Sequence, residues 1–147
     1  QKGSEMTPNF ALAELTASEI ASRRGLDNTP GTKELSNLKR LAEFLEEVRA
    51  LLGKPILINS AYRSKAVNDA VGSSDRSQHL LGCAADLRVP GMTPRAVCEA
   101  VIAANLPFHQ LILEFDAWTH ISIPNEPGQT PRQQALIIDS NGARPFA

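Results

Sequence analysis

Apolar residues recur at steps of three and four between Lys33 and Leu52: Leu35, Leu38, Leu41, Leu45, Val48 and Leu52, with lysines and glutamates between them. That period predicts one long amphipathic helix, stopped by Gly53 and Pro55. A shorter helix is expected before it. Thr16-Ala17-Ser18-Glu19 has the spacing of a capping box, Gly25 closes the stretch, and Asn28-Thr29-Pro30-Gly31 reads as a loop. Ile56-Leu57-Ile58 reads as a short buried strand, and Ser64 to Val71 as a short helix ended by Gly72.

Gly72 to Gly82 is polar and glycine-flanked, hence loop, and Cys83 to Val89 then reads as a strand. Its alternation puts Ala85, Leu87 and Val89 on one face and Ala84, Asp86 and Arg88 on the other. Thr93 caps a helix that has Pro94 at its first position and runs to about Ala104. Leu111 to Phe115 and Thr119 to Ile123 form a hairpin, and Gln134 to Asp139 adds an edge strand. With helices early and strands late, the pattern predicts an α+β domain with helices packed on a mostly antiparallel sheet.

The hairpin can be given a register. Pairing around a three-residue turn, Asp116-Ala117-Trp118, sets Glu114 opposite His120 and Leu113 opposite Ile121. Leu111, Leu113, Phe115, Ile121 and Ile123 then make an apolar layer, while Glu114, His120 and Ser122 share the other face.

Composition adds limits. The chain has 147 residues, 42% of them hydrophobic, and a formal charge of -1. One domain, residues 6–147, is expected, and its length needs no metal or disulfide to sustain a core. The near-zero charge gives no support for nucleic acid or an anionic membrane as partner, and no apolar run approaches the roughly 18 to 20 residues of a membrane span. Cys83 and Cys98 make no disulfide framework. Cys98 falls in an apolar helical pattern and is expected in the core. Gln1 to Glu5 reads as an expression remnant, with Met6 the first native residue. No signal peptide is visible, so synthesis in the cytoplasm is expected.

The candidate chemistry lies where strands meet loops. His79, Asp86 and His120 offer two imidazoles and a carboxylate, an ordinary catalytic zinc set with a fourth position left for water. A lone strand Asp is equally explained by an ion pair with Arg88 or Arg63. His109 has no companion at ligand spacing and is read as a non-ligand. Glu114, on the face of His120, is placed as a general base.

Ser77-x-His79-x-x-Gly82-x-Ala84-x-Asp86 followed by Trp118-x-His120 resembles the zinc D-alanyl-D-alanine carboxypeptidases, the family of the VanX- and VanY-type enzymes and many phage endolysins. Asn59-Ser60-Ala61-Tyr62-Arg63-Ser64 with Asn68 looks like that family's upstream segment, usually with Gly where Ala61 stands. The likeness runs from about Phe10 to Ile138, and especially resembles small phage and prophage members that share the Leu26-Asp27-Asn28-Thr29-Pro30 loop. It implies a zinc DD-peptidase fold, one zinc ion on His79, Asp86 and His120, and peptidoglycan stem peptides as substrate for a monomer. It implies that Arg63 binds the substrate carbonyl and stabilises the oxyanion, that Ser77 orients substrate and that Trp118 walls the cleft. Such a protein acts at the bacterial wall once released or exported.

One departure stands out. Many members place the catalytic carboxylate three residues before the second His, where this chain has Ala117. Glu114 by geometry, or Asp116 by proximity, must then supply the base. The alternative is a non-catalytic zinc-containing peptidoglycan-binding module, which Ala117 favours. A serine hydrolase has less support: no Gly-x-Ser-x-Gly occurs and Ser77 lies two residues from His79.

Overall fold

The computed structural model describes residues 5–146, so the proposed remnant lies outside it apart from Glu5. Two short strands, β1 (Glu5–Thr7) and β2 (Phe10–Ala11), pair with each other and lead into α1 (Leu12–Thr16) and α2 (Glu19–Arg24). The long helix α3 (Thr32–Leu52) follows as its periodicity predicts, then β3 (Leu57–Ser60) and α4 (Lys65–Ala70). A 3-10 turn (Gln78–Leu81) sits inside the glycine-flanked loop and leads to β4 (Ala84–Arg88). α5 (Pro94–Ala103), β5 (Gln110–Glu114), β6 (Trp118–Ser122), β7 (Gln134–Asp139) and β8 (Gly142–Pro145) complete the chain.

Six strands form one sheet in the order β3-β4-β6-β5-β7-β8, antiparallel except for the β5–β7 pair. This is the α+β architecture expected. Leu38, Leu41, Leu45 and Val48 of α3 and Val97, Cys98 and Val101 of α5 are buried in one core with Ala85, Leu87, Leu111, Leu113 and Ile121 of the sheet. Each such leucine or isoleucine contributes roughly 1.5–3 kcal/mol by leaving water. The opposite face of the sheet is left free to carry polar groups. Cys83 and Cys98 are both buried free thiols. No helix among the described residues is long and apolar enough to cross a membrane.

Four local expectations need correction. The cap of α2 is Ser18, whose hydroxyl accepts from the Ala21 amide, while Thr16 instead donates to Leu12 at the end of α1. Ser18 directly precedes the first residue of α2, and Thr16 does not. β3 starts a residue later than expected and lies at the sheet edge, with Leu57 exposed and only Ile56 deeply buried. β7 is not the edge, because β8 folds back over it. The hairpin register differs by two residues: Glu114 pairs with Trp118, and His120 with Ile112. Phe115 and Asp116 both adopt left-handed backbone, φ 56 and 53, in the turn closed by the Ala117 amide on the Glu114 carbonyl. Primed hairpin turns use this geometry, normally with Gly or Asn, and the sequence carries neither there. Phe115 is consequently 54% exposed rather than in the core.

Gly82 ends the 3-10 turn at φ +77, where an added Cβ would lie 2.9 Å from the Glu34 carbonyl oxygen and 3.1 Å from Leu38 Cγ of α3. Gly72 has a similar φ, +75, with open space around it. Gly82→Ala should therefore cost roughly 2–4 kcal/mol, strain plus overpacking, and Gly72→Ala only about 1–2 kcal/mol. Urea unfolding of the two variants checks this, and equal losses would contradict the packing argument.

Candidate metal centre

Asp86 and His120 come together through the sheet. In the β4–β6 pairing they are direct partners, and the apolar alternation of both strands turns them to the face away from α3. His79 arrives from the 3-10 turn, where Ser77 caps by accepting from the His79 amide. Gln78 fastens the turn to the end of β6 by donating to Ile123 O and Asn125 Oδ1.

The three side chains converge. His79 Nε2 lies 3.3 Å from Asp86 Oδ2, and His120 Nδ1 lies 2.9 Å from Asp86 Oδ1. Their candidate ligand atoms all fall within 4.8 Å of one another, a group that could hold a metal ion. Arg88 turns away to Asn59, so Asp86 has no partner in it.

The protonation pattern bears on what belongs there. His79 Nδ1 is 2.6 Å from the Ala61 carbonyl oxygen, which has no proton to give, so Nδ1 donates. A neutral His79 then presents the lone pair of Nε2 to the Asp86 carboxylate. Two lone pairs facing each other at 3.3 Å repel unless a cation or a second proton lies between them. Burial lowers the His79 pKa and so disfavours the second proton. A divalent cation resolves the conflict, and a backbone carbonyl fixing the tautomer from behind is the usual support of a metal-binding histidine. Two nitrogens and one carboxylate oxygen suit zinc. Burial opposes the charge on Asp86, but the hydrogen bond from His120 Nδ1 outweighs it and holds the carboxyl well below its ordinary range.

A cleft of about 780 Å³ opens over the cluster. Ile112, Leu136 and Ile138 line it across β5 and β7, and Trp118 and Phe115 flank it at the hairpin tip, their ring centroids 6.3 Å apart. Glu114 also lines the cleft, with Oε2 3.7 Å from His120 Nδ1. The two-residue difference in register leaves parity unchanged, so Glu114 still shares the face of His120, reaching it diagonally rather than from directly opposite. Burial and the neighbouring Asp86 raise the Glu114 pKa, against His120 and Arg63. Asp116 is not among the residues lining the cleft, and its charge acts on Arg144 of β8. Ala117 lines a separate hollow with Arg88, Pro90 and Pro94.

Arg63 reaches the cleft from the segment between β3 and α4. Its Nη2 lies 3.5 Å from Ser77 Oγ, and its Nε is buried with no partner among the described residues. The Trp118 indole N–H is likewise buried and unpartnered among them. His109 stands outside the cluster, its Nδ1 accepting from the Arg132 amide. Sequence reasoning missed Ala61, whose contribution is a backbone carbonyl, and Gln78. It also missed the apolar floor from β7, since nothing local reveals which strand lies beside β5.

A family model described as Peptidase M15 matches residues 8–122, well over half of the chain. The chain belongs to the Peptidase M15 family. A search of curated proteins finds no match. M15 peptidases are zinc-dependent hydrolases, which agrees with the donor set found here, and the membership supports a zinc peptidase acting on peptidoglycan.

A cation taken up at this cluster should stabilise the M15 fold. Zinc added to chelator-stripped protein is expected to raise the unfolding free energy by about 2.7 kcal/mol when the free ion stands 100-fold above its Kd. His79→Ala or His120→Ala should lose most of that gain. A variant that keeps the whole gain, with one zinc still bound by metal analysis, would remove that histidine from the site.

Proposed function

We propose that this M15 peptidase hydrolyses a peptide bond in the stem peptides of bacterial peptidoglycan, with one zinc ion held by His79, Asp86 and His120. The observation that carries the reading is the convergence of these three donors below a cleft, with a carboxylate of raised pKa beside them. Zinc, when bound, supplies a Lewis acid that acidifies water and polarises the scissile carbonyl.

The chain's own residues supply the rest. Glu114 takes the proton from the attacking water and returns it to the leaving amine. Its raised pKa moves it toward the neutral range where a general base works best. Arg63 brings a partly desolvated guanidinium into the cleft beside Asp86 and Glu114, where its charge stabilises the oxygen on which negative charge develops. Ser77 holds that guanidinium and the His79 turn together and so orients substrate through both. Trp118 forms a wall of the cleft against which the peptide lies.

An endolysin role, with action at the wall after release, is supported by the resemblance of the Leu26–Pro30 loop to small phage and prophage members. A module that binds peptidoglycan without cutting it is favoured only by Ala117, and the carboxylate of Glu114 in the cleft weighs against it.

Zinc-loaded protein incubated with purified muropeptides should release shortened stem peptides, and a chelator should stop the release. Mass spectrometry of the products separates carboxypeptidase from endopeptidase action, since only the former frees a terminal D-alanine. No cleavage of any stem peptide would sink the catalytic reading in favour of the binding module.

Glu114→Gln keeps the shape of the side chain and removes the base. Turnover should fall about a hundredfold or more while zinc stays bound. Asp116→Asn should change turnover little. A dead Asp116 variant beside an active Glu114 variant would move the base to the turn.

A further inference from the structure

The segment Ala61 to Ser64 follows the last residue of β3 and precedes α4. Its backbone therefore needs partners from outside the sheet, and an unpaired backbone group would be costly. It also carries two groups of the site: the Ala61 carbonyl that fixes His79 and the Arg63 side chain. The partners come from elsewhere in the chain. The Tyr62 amide donates to Leu15 O and the Arg63 amide to His79 O. The groups flanking Arg63 on both sides go to one side chain, Asn28. Its Oδ1 accepts from the Ser64 amide at 2.7 Å, and its Nδ2 donates to the Tyr62 carbonyl at 3.2 Å and to the Thr16 carbonyl at 2.8 Å.

Asn28 is thus a clamp across Arg63, anchored at the end of α1. Its loop is itself fixed: Asp27 Oδ1 accepts from the Thr29 amide, and the Ser64 hydroxyl donates to the Asp27 carbonyl. No hydrophobic packing accounts for this arrangement, since Asn28 is only partly buried and commits its amide to backbone. Asn28 is not among the residues lining the cleft.

We propose that Asn28 is a positioning residue for Arg63, holding the guanidinium over the metal cluster by bracketing its backbone. The proposal deepens the peptidase reading and, for its kinetic part, rests on it. Asparagine suits the task because it alone offers, at this length, an acceptor for an amide and two donors for carbonyls. An aspartate in its place would keep the acceptor and turn both donated bonds into repulsions between oxygens.

The test uses zinc-loaded Asn28→Ala and Asn28→Asp, each alone and combined with Arg63→Ala. Each single variant should lower kcat about tenfold to a hundredfold, the scale of a small misplacement remote from the chemistry, with zinc content unchanged. In the Arg63→Ala background the same changes should cost less than about twofold, because residues acting as one unit are not additive. Against Glu114→Gln they should retain their full effect. A loss that persists undiminished without Arg63, or wild-type turnover in both variants, would overturn the proposal.

A second readout needs no activity. Nitrogen-15 relaxation of the Arg63 Nε–H should report an ordered side chain in the wild type and a mobile one in the variants, while α3 amides are unaffected. An equally ordered Arg63 in both variants would overturn the proposal even if no stem peptide is ever cut. In that case the substrate assignment fails separately. Should Asn28→Ala unfold, Asn28→Asp, close in shape, carries the same measurements. If both unfold, Asn28 supports the whole fold and the specific role is wrong.

Discussion

The pairing of Asp86 with His120 across β4 and β6 is the constraint around which the site is built. A carboxylate and an imidazole in mid-sheet are tolerated only because each strand sends its other side chains into the α3 and α5 core. Ala85 and Leu87 from β4 and Ile121 from β6 are buried there. A slip by one residue would bury Asp86 and His120 and expose the core, so hydrophobic burial holds the polar pair in place. The energy that fixes the chemistry is not in the site but on the other side of the sheet.

His79 is held by different means. It belongs to no strand, and its ring is fixed from behind by the Ala61 carbonyl, while the close approach of Gly82 to α3 seats the turn that carries it. The Ala61 segment carries Arg63 two residues later. The proposed metal ligand and the proposed oxyanion donor are therefore supported by one short stretch of backbone, braced in turn by Asn28 and by His79 O.

The electrostatics follow from burial. Asp86 keeps its charge against burial because His120 donates to it, and Glu114 is pushed toward its neutral form by desolvation and by Asp86. Two carboxyls on one face thus have their affinities for a proton driven apart. That separation is what the proposed roles require, one carboxylate as a ligand and the other as a base.

The sequence by itself determined the long helix, the β4 alternation, the shared face of Glu114 and His120, and three ligand candidates with a recognisable spacing. These are local or short-range properties: a 3.6-residue or two-residue period survives without knowledge of what packs against it. Parity even survived a hairpin register wrong by two residues, because two is the period of a strand. What only the tertiary structure decided is which elements become neighbours. That β6 lies between β4 and β5, that β7 runs parallel beside β5 to floor the cleft, and that the Ala61 carbonyl meets His79 are all long-range outcomes. So is the reach of Asn28 to both sides of Arg63. Backbone carbonyls and amides are the same in nearly every residue, so their partners leave no mark in the sequence. Only the folded chain, by satisfying each of them, reveals which side chain was placed to do it.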